Sequence, residues 1–416
     1  MRHYSIIVFA FLLLSTNSTA QKPKAGVYRG VLALNETTNL PFIFEVKYNK
    51  KKPLILIRNA DETIVVDEIV LKGDSVNFKM PVFDTEFRTR QINGNLEGVW
   101  INHYRTSQNV IKFTASYNIK DRFLLSPADR FLFQPWNPDP SFEGKWEATF
   151  SPGKSDESKA VGIFHHVEQT EFVTGTFLTE TGDYRYLDGI QNKNRLYLSC
   201  FDGSHAFLFT AEYKDGEIVN GTFYSGAHWQ EDWKAVKNES FKLRDAGEIA
   251  KVIDYNTKPN FSFPSLSNTP VSLSDKKYEN KAVIIQVMGS WCPNCMDESI
   301  YYSGLYEQYK GQGLEIIAVA FEKADNLSTA RKQVERMKTR LKMTYDIAIT
   351  LKDNKNKASE TFPMLDRVAA FPTSIFLNKK HQIVKVHTGF SGPATGAEYG
   401  NFKQSIEFFI KNLLKE

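Results

Sequence analysis

The feature that most constrains this chain is a pair of cysteines, three residues apart, at the point where a strand turns into a helix. An apolar run over Ala282–Met288 predicts a buried central strand. A helical pattern follows over Asp297–Tyr309. Between the two, Trp291–Cys295 reads Trp-Cys-Pro-Asn-Cys. The sequence therefore predicts an α/β unit that carries a dithiol at the end of one of its strands.

The position of Cys292 at the start of this helix predicts a reactive thiol. Unsatisfied N–H groups and the positive end of the helix dipole favour the thiolate, and can lower a cysteine pKa from ~8.5 to ~3.5–7.5. Cys295 lies one turn on, close enough to form a disulfide with Cys292 and release a bound substrate. Zinc would need further ligands, and this region offers only His381 and His387. We expect redox chemistry, with no metal and no cofactor, rather than a purely structural disulfide.

The rest of the C-terminal region alternates strands with amphipathic helices. This alternation predicts an α/β sandwich with a mixed sheet. Its predicted elements are a buried strand over Leu314–Phe321, a charged helix over Ala324–Leu341, a hairpin of Ser374–Leu377 with Ile383–Val386, and a last helix over Ala397–Leu414.

Residues 21 to about 245 are typical of strands, such as Thr63–Val70 and Leu196–Cys200, separated by Gly, Asn and Asp turns. Short motifs recur at a similar spacing, among them Leu-Glu-Gly ending at Gly98 and Val-Asn-Gly ending at Gly221. A proline-rich joint over Gln134–Pro140 separates the two halves. We therefore predict two related β modules, residues 21–135 and 136–245, before a domain of residues 246–416.

Two kinds of residue in the β-rich region are predicted to be structural. Cys200 shares a strand face with Leu196 and Leu198, so we expect it to be buried as a small hydrophobe. A redox role is the alternative for it. The scattered histidines match no known ligand spacing, so no metal site is predicted there.

The N-terminus predicts export. Arg2 precedes an apolar run over Ile6–Leu14, and small residues follow at Thr19 and Ala20. This is the layout of a signal peptide over residues 1–20, cleaved near Ala20. An uncleaved anchor is the alternative, but the run is shorter than the ~20 residues that span a bilayer. With 52 basic and 48 acidic side chains and no charged block, neither nucleic acid nor a membrane surface is expected as partner.

From Phe261 to its end, the chain resembles the thioredoxin superfamily, and within it the TlpA/ResA-like periplasmic thiol–disulfide oxidoreductases. The Trp-Cys-x-x-Cys motif carries this resemblance, together with Phe261–Leu266, Ala370–Thr373 and Thr388–Phe390. It implies an α/β thioredoxin-like C-terminal domain after the β-rich region.

The resemblance also implies roles for individual residues. Cys292 would be the attacking thiolate, and Cys295 would resolve the mixed disulfide. Pro372 would follow a cis peptide bond, a state that the fold must enforce. The backbone of Phe371 would pair with substrate, and Trp291 would contact it.

An acidic residue near the cysteines is also implied, and Glu298 matches it. Three residues beyond Cys295 on a helix, it would face the same side and could accept or deliver a proton. Thioredoxin has a buried aspartate where this chain has Gln286, which cannot titrate. A solvated helix glutamate is the alternative. The unusual Pro-Asn pair between the cysteines leaves the redox potential open.

Together these features predict an exported, periplasmic protein that reduces protein disulfides and contributes to cell redox homeostasis. Its partners would be protein thiols and disulfides and a membrane electron donor, without stable membrane insertion of the mature chain. One alternative is a disulfide oxidase or isomerase, and another is a ligand-binding envelope protein with an accessory redox domain. A peroxidase is disfavoured because Gly289 stands where such enzymes have threonine.

Overall fold

The computed structural model describes residues 22–124, 141–168, 170–351 and 355–416. They form two antiparallel sheets followed by a mixed sheet with helices. The predicted signal peptide with its cleavage near Ala20, and the proline-rich joint over 134–140, lie outside the described residues. No helix in the described part of the chain combines the length and apolar character that crossing a bilayer requires.

The first antiparallel sheet has nine strands in the order β4-β3-β2-β1-β9-β8-β7-β6-β5. Buried and more exposed residues alternate along most of them, as expected for strands with one face on a core. The strands are β1 (Gly26–Ala33), β2 (Asn39–Asn49), β3 (Lys52–Asn59), β4 (Glu62–Val66), β5 (Glu68–Lys72), β6 (Ser75–Lys79), β7 (Thr85–Ile92), β8 (Asn95–Asn102) and β9 (Val110–Tyr117). The predicted run over Thr63–Val70 is therefore two strands, which part at Asp67 and lie at opposite ends of the sheet.

The second sheet also has nine strands. They are β10 (Gly144–Phe150), β11 (Ser158–His166), β12 (Phe172–Thr179), β13 (Gly182–Asp183), β14 (Leu187–Asn192), β15 (Arg195–Phe201), β16 (Ala206–Lys214), β17 (Glu217–Ser225) and β18 (Trp229–Lys237). Their order is β11-β10-β18-β17-β16-β15-β14-β12-β13, and a β11–β12 pairing closes the sheet on itself. The two sheets share most of their pairings when the strands of each are counted from its own first strand. In both, strands one to four pair in succession, strands five to nine pair in succession, and the first strand pairs with the last.

The C-terminal region is built on a five-stranded sheet in the order β23-β22-β21-β24-β25. Strands β21 and β22 are parallel, as are β22 and β23, whereas β24 runs antiparallel to β21. The strands are β19 (Ser262–Pro264) and β20 (Pro270–Ser272), which form a separate hairpin, then β21 (Ala282–Met288), β22 (Leu314–Phe321), β23 (Asp346–Thr350), β24 (Thr373–Leu377) and β25 (Ile383–Thr388). The helices are α1 (Pro293–Tyr309), α2 (Leu327–Leu341), α3 (Lys355–Thr361) and α4 (Ala397–Leu413).

The predicted elements of this region are confirmed, with changes at their ends. Strands β21 and β22 have the predicted bounds, and every residue of β21 is buried. Helix α1 begins four residues before the predicted Asp297, because Cys292 caps it and Pro293 suits its first turn. Helix α2 begins after Ala324, because the side chain of Asn326 accepts the amide N–H of Thr329 and caps the helix there.

Candidate active site

The two cysteines occupy the N-terminal turn of α1. Cys292 is the N-cap residue, in an extended conformation with φ −101° and ψ 114°. It is disulfide-bonded to Cys295, and their Cα atoms are 5.2 Å apart. The backbone N–H of Cys295 points at Cys292 Sγ, with 3.2 Å between nitrogen and sulfur. A backbone donor at this sulfur would stabilise a negative charge on it once the pair is reduced.

The loop before β24 brings the second part of the site to the cysteines. The peptide bond between Phe371 and Pro372 is cis, as the resemblance implies. Cys292 Sγ lies 3.5 Å from the carbonyl oxygen of Phe371. Because β24 pairs with β21, the loop that enters β24 and the turn that leaves β21 meet at the same edge of the sheet.

Trp291 is fixed on three sides beside the disulfide. Its indole N–H donates to the carbonyl oxygen of Phe321 at 2.9 Å. Its ring packs edge-on against Phe371 with 5.4 Å between ring centroids. The ammonium group of Lys323 lies 3.7 Å from the indole centroid, a cation–π distance. The ring is thus held next to Phe371, so the two predicted substrate-contacting residues are in contact with each other near Cys292.

Glu298 is completely buried, so the alternative of a solvated glutamate is wrong. Its carboxylate accepts hydrogen bonds from the amide of Gln286 at 2.8 Å and from the hydroxyl of Ser374 at 2.9 Å. Burial raises the pKa of Glu298 from 4.5 to about 8, against these two bonds and a further one with Tyr302 that lower it. The buried acid of this domain is therefore Glu298, and Gln286 is a hydrogen-bond donor to it.

A second buried acid, which the sequence analysis missed, binds the residue that precedes Trp291. Glu322 directly follows β22 and accepts hydrogen bonds from the backbone N–H of Ser290 at 2.8 Å and from its hydroxyl at 2.6 Å. Burial raises the pKa of Glu322 to about 7. Its sequence signal was a glutamate directly after a buried strand, at the edge where the cysteines also lie.

A buried arginine from the second sheet also reaches the motif, and the sequence analysis missed it too. Arg185 is 1% exposed and forms ion pairs with Glu62, Asp202 and Asp297. Its guanidinium also donates to the carbonyl oxygen of Pro293 at 3.5 Å. Its partners come from the first sheet, the second sheet and α1, so no local spacing in the sequence could have shown this cluster.

The second antiparallel sheet covers part of the motif. The hydroxyl of Ser204, in the turn before β16, donates to the carbonyl oxygen of Trp291 at 3.0 Å. Gly182, at the start of β13, has no room for a side chain, because a Cβ atom there would meet the amide nitrogen of Asn294. Cys292 is only 6% exposed and Cys295 is fully buried. The dithiol is therefore enclosed by parts of the chain that are far from it in sequence.

Two further predictions concern Cys200 and the metal-ligating side chains. Cys200 is buried and forms no disulfide, as predicted, and burial raises the pKa of its thiol well above the usual range. Within the described ranges, no three His, Cys, Asp or Glu side chains cluster closely enough to hold a metal ion.

The C-terminal region is similar in sequence to known thiol–disulfide oxidoreductases. The model of the AhpC/TSA family matches residues 256–386. Thiol-disulfide oxidoreductase ResA of Geobacillus kaustophilus is 31% identical over 134 residues, which are 32% of this chain and 68% of that protein. ResA of Halalkalibacterium halodurans is 33% identical over 157 residues, which are 38% of this chain and 75% of that protein. The chain belongs to the ResA-like thiol–disulfide oxidoreductases of the thioredoxin superfamily.

This ResA-like protein also aligns with a solved thiol-disulfide oxidoreductase from Bacteroides fragilis. The alignment covers 35% of this chain and 99% of that one at 16% identity, with a TM-score of 0.28. The match to the AhpC/TSA family begins only at residue 256, after both antiparallel sheets. The thioredoxin-like fold and the oxidoreductase activity thus belong to the C-terminal region, which carries the two disulfide-bonded cysteines.

Proposed function

We propose that this ResA-like protein reduces disulfides of exported proteins, with Cys292 as the attacking thiol and Cys295 as the resolving thiol. One observation carries the assignment of these roles. Cys292 caps α1 and receives the backbone N–H of Cys295, while Cys295 lies inside the helix and is fully buried. A helix N-terminus stabilises the thiolate, and the less accessible cysteine is suited to act second.

The reaction proceeds in two exchanges. The Cys292 thiolate attacks one sulfur of the client disulfide, forms a mixed disulfide and releases the first client thiolate. Cys295 then loses its proton and attacks Cys292 Sγ, which forms the enzyme disulfide and releases the second client thiolate. Two electrons pass from the enzyme dithiol to the client, whose two thiolates take up protons.

Glu298 is proposed to hold the proton that Cys295 loses. It lies three residues after Cys295 on α1, so the two side chains share a helix face. A pKa of about 8 keeps the acid close to balance between its two forms near neutral pH. Pro372, Phe371 and Trp291 are proposed to position the client, since the Phe371 carbonyl and the Trp291 ring adjoin Cys292.

A dithiol donor must reduce the enzyme disulfide after each cycle. We propose a membrane protein that presents its dithiol on the exported side. Residues 1–20 would direct export and be cleaved near Ala20, leaving a periplasmic chain without stable membrane insertion. Residues 21–135 and 136–245 are proposed to be two related β modules in front of a thioredoxin-like domain of residues 246–416. The strand pairings that the two sheets share support their kinship.

Trapping of the mixed disulfide tests this function. A Cys295→Ser, Cys200→Ala variant keeps Cys292 as its single thiol and lacks the resolving sulfur. Produced in its native host, it should accumulate covalent adducts that reductant dissolves. The matched control, Cys292→Ser with Cys200→Ala, should accumulate far fewer.

The identity of the adducts, determined by mass spectrometry, decides the direction of electron flow. A membrane thiol carrier together with client proteins would support a reductase. Newly exported proteins that lack their disulfides would instead indicate an oxidase. A folded, exported variant without any adduct would refute the proposed role of Cys292.

A further inference from the structure

The second sheet binds the peptide groups on both sides of Cys292. The hydroxyl of Ser204 donates to the carbonyl oxygen of Trp291 at 3.0 Å, and the guanidinium of Arg185 donates to that of Pro293 at 3.5 Å. Cys292 lies between these two residues and caps α1. The backbone around the attacking cysteine is therefore held by side chains that lie 87 and 108 residues from the groups they bind.

Arg185 also joins α1 to both antiparallel sheets. It lies between β13 and β14 and is 1% exposed. Its guanidinium forms ion pairs with Glu62 of β4, with Asp202 after β15 and with Asp297 of α1. A guanidinium carries five N–H groups in a planar fork, so it can bind several oxygen atoms that a lysine ammonium could not reach together.

The cluster around Arg185 contains more acidic than basic groups. Asp183 adds a fourth carboxylate to the three ion-pair partners, and accepts the backbone N–H of Arg185 at 2.6 Å and that of Gly392 at 2.5 Å. Burial raises the pKa of Asp183 to about 6. The other basic group is His205, which lies 3.2 Å from Asp202. Removal of the guanidinium would therefore leave an excess of carboxylates against the start of α1.

Asp297 brings this negative charge near the attacking thiol. It lies five residues after Cys292 on α1, which is about 7.5 Å along the helix axis at ~1.5 Å per residue. A carboxylate at that distance in a buried setting disfavours a thiolate, and a guanidinium paired with it offsets this effect. The other charged groups near the motif are Glu298 on α1, and Glu322 and Lys323 after β22.

We propose that Arg185 is a positioning residue for the dithiol: it neutralises Asp297 and holds the start of α1 in the geometry in which the N–H of Cys295 points at Cys292 Sγ. The proposal rests on the disulfide-exchange function given above and extends it to the β-rich region. The second sheet is then part of the redox centre, and the reactivity of Cys292 depends on it.

The pKa of Cys292 in two variants that break the same ion pair tests this role. The starting protein is the full chain with Cys295→Ser and Cys200→Ala, and the ultraviolet absorbance of the thiolate is followed against pH. Asp297→Asn removes the negative charge but keeps an oxygen that can accept from Arg185, so the pKa of Cys292 should fall by about one unit. Arg185→Met removes the positive charge, so the pKa should rise by about one unit.

The opposite signs of these shifts separate charge from a general loosening of the fold. If the ion pair only stabilised the structure, both variants would loosen the start of α1 and move the pKa of Cys292 towards the ~8.5 of a free thiol. Arg185→Lys should give a pKa between those of wild type and Arg185→Met, because it keeps the charge but loses the planar fork. Shifts in the same direction, or no shift, would overturn the proposal.

Two matched controls remove a charge of each sign elsewhere. Arg244→Met removes an exposed arginine that pairs with Glu180, and Glu307→Gln removes an exposed carboxylate that pairs with Lys310 near the other end of α1. Both should leave the pKa of Cys292 unchanged. If Arg185→Met does not fold, Asp297→Asn still decides, because a pKa that does not fall in that variant contradicts the proposal.

The equilibrium with reduced and oxidised glutathione gives a second measurement, made on the protein with both active-site cysteines. An ionised Cys292 stabilises the reduced form, so Asp297→Asn should shift the equilibrium several-fold towards the dithiol and Arg185→Met several-fold towards the disulfide. If the pKa values shift as expected but the Cys295→Ser variant traps no adduct, the proposed function fails and the role of Arg185 stands. If adducts form while the pKa of Cys292 is the same in all variants, only the role of Arg185 fails.

Discussion

Replacement of Glu298 by glutamine should change how the stability of this protein depends on pH. Glu298 is fully buried, and burial raises its pKa from 4.5 to about 8. Between these two values the folded chain holds a proton that the unfolded chain has lost, so the free energy of unfolding falls as pH rises. The difference between the two pKa values corresponds to about 5 kcal/mol, at ~1.36 kcal/mol per pKa unit. About 4 kcal/mol of this is lost between pH 5 and pH 9.

The Glu298→Gln variant has the shape of the protonated acid and cannot ionise. Its amide can still bond with Gln286 and Ser374, so at pH 5 its stability should be within about 1 kcal/mol of wild type. At pH 9 it should be the more stable protein by several kcal/mol, because wild type then carries a buried carboxylate.

Urea denaturation of the oxidised proteins at pH 5, 7 and 9 measures this effect. Glu322 and Asp183, whose pKa values burial raises to about 7 and about 6, add a similar slope to both proteins. The difference between the two proteins therefore isolates Glu298. Parallel stability curves for variant and wild type would refute the raised pKa of this residue.

Three further outcomes are expected. The pH profile of alkylation should give Cys292 a pKa well below ~8.5 in the Cys295→Ser variant, and Cys295 a higher pKa in the Cys292→Ser variant. Equal pKa values would refute the assignment of Cys292 as the nucleophile. Quenched flow should show that resolution of the transient mixed disulfide accelerates through about pH 8 in wild type. Glu298→Gln should flatten this pH dependence while the rate of attack is unchanged. Cys200 should stay unalkylated in the native state, and Cys200→Ser should lower the free energy of unfolding by about 1–3 kcal/mol because it buries a hydroxyl group.

The elements that the sequence predicted are those set by local patterns. The buried strand β21, the start of α1 near Cys292 and the loop at Pro372 all follow from a few neighbouring residues. The burial of Glu298 does not, because it depends on Ser374, which is 76 residues away and meets Glu298 only through the pairing of β21 with β24. Spacing on a helix gives the direction of a side chain, but not what packs on top of it.

The environment of Arg185 shows the same limit more strongly. Its ion-pair partners Glu62 and Asp297 are 123 and 112 residues away, and they lie in two other parts of the fold. The enclosure of the dithiol was equally hidden, since Ser204 and Gly182, which contact the motif, come from the second antiparallel sheet.

The open edges of the first sheet affect whether the β-rich region can be produced without the C-terminal domain. The second sheet closes on itself through β11, β12 and β14, whereas the first ends at β4 and β5, which no strand bridges among the described residues. Arg340 of α2 binds Asp67, the residue between these two end strands. The C-terminal domain thus contacts the residue at which the two end strands meet, and an unpaired strand edge offers free backbone groups to another chain. Residues 22–245 produced alone should therefore self-associate, and light scattering should show particles that the full chain does not form.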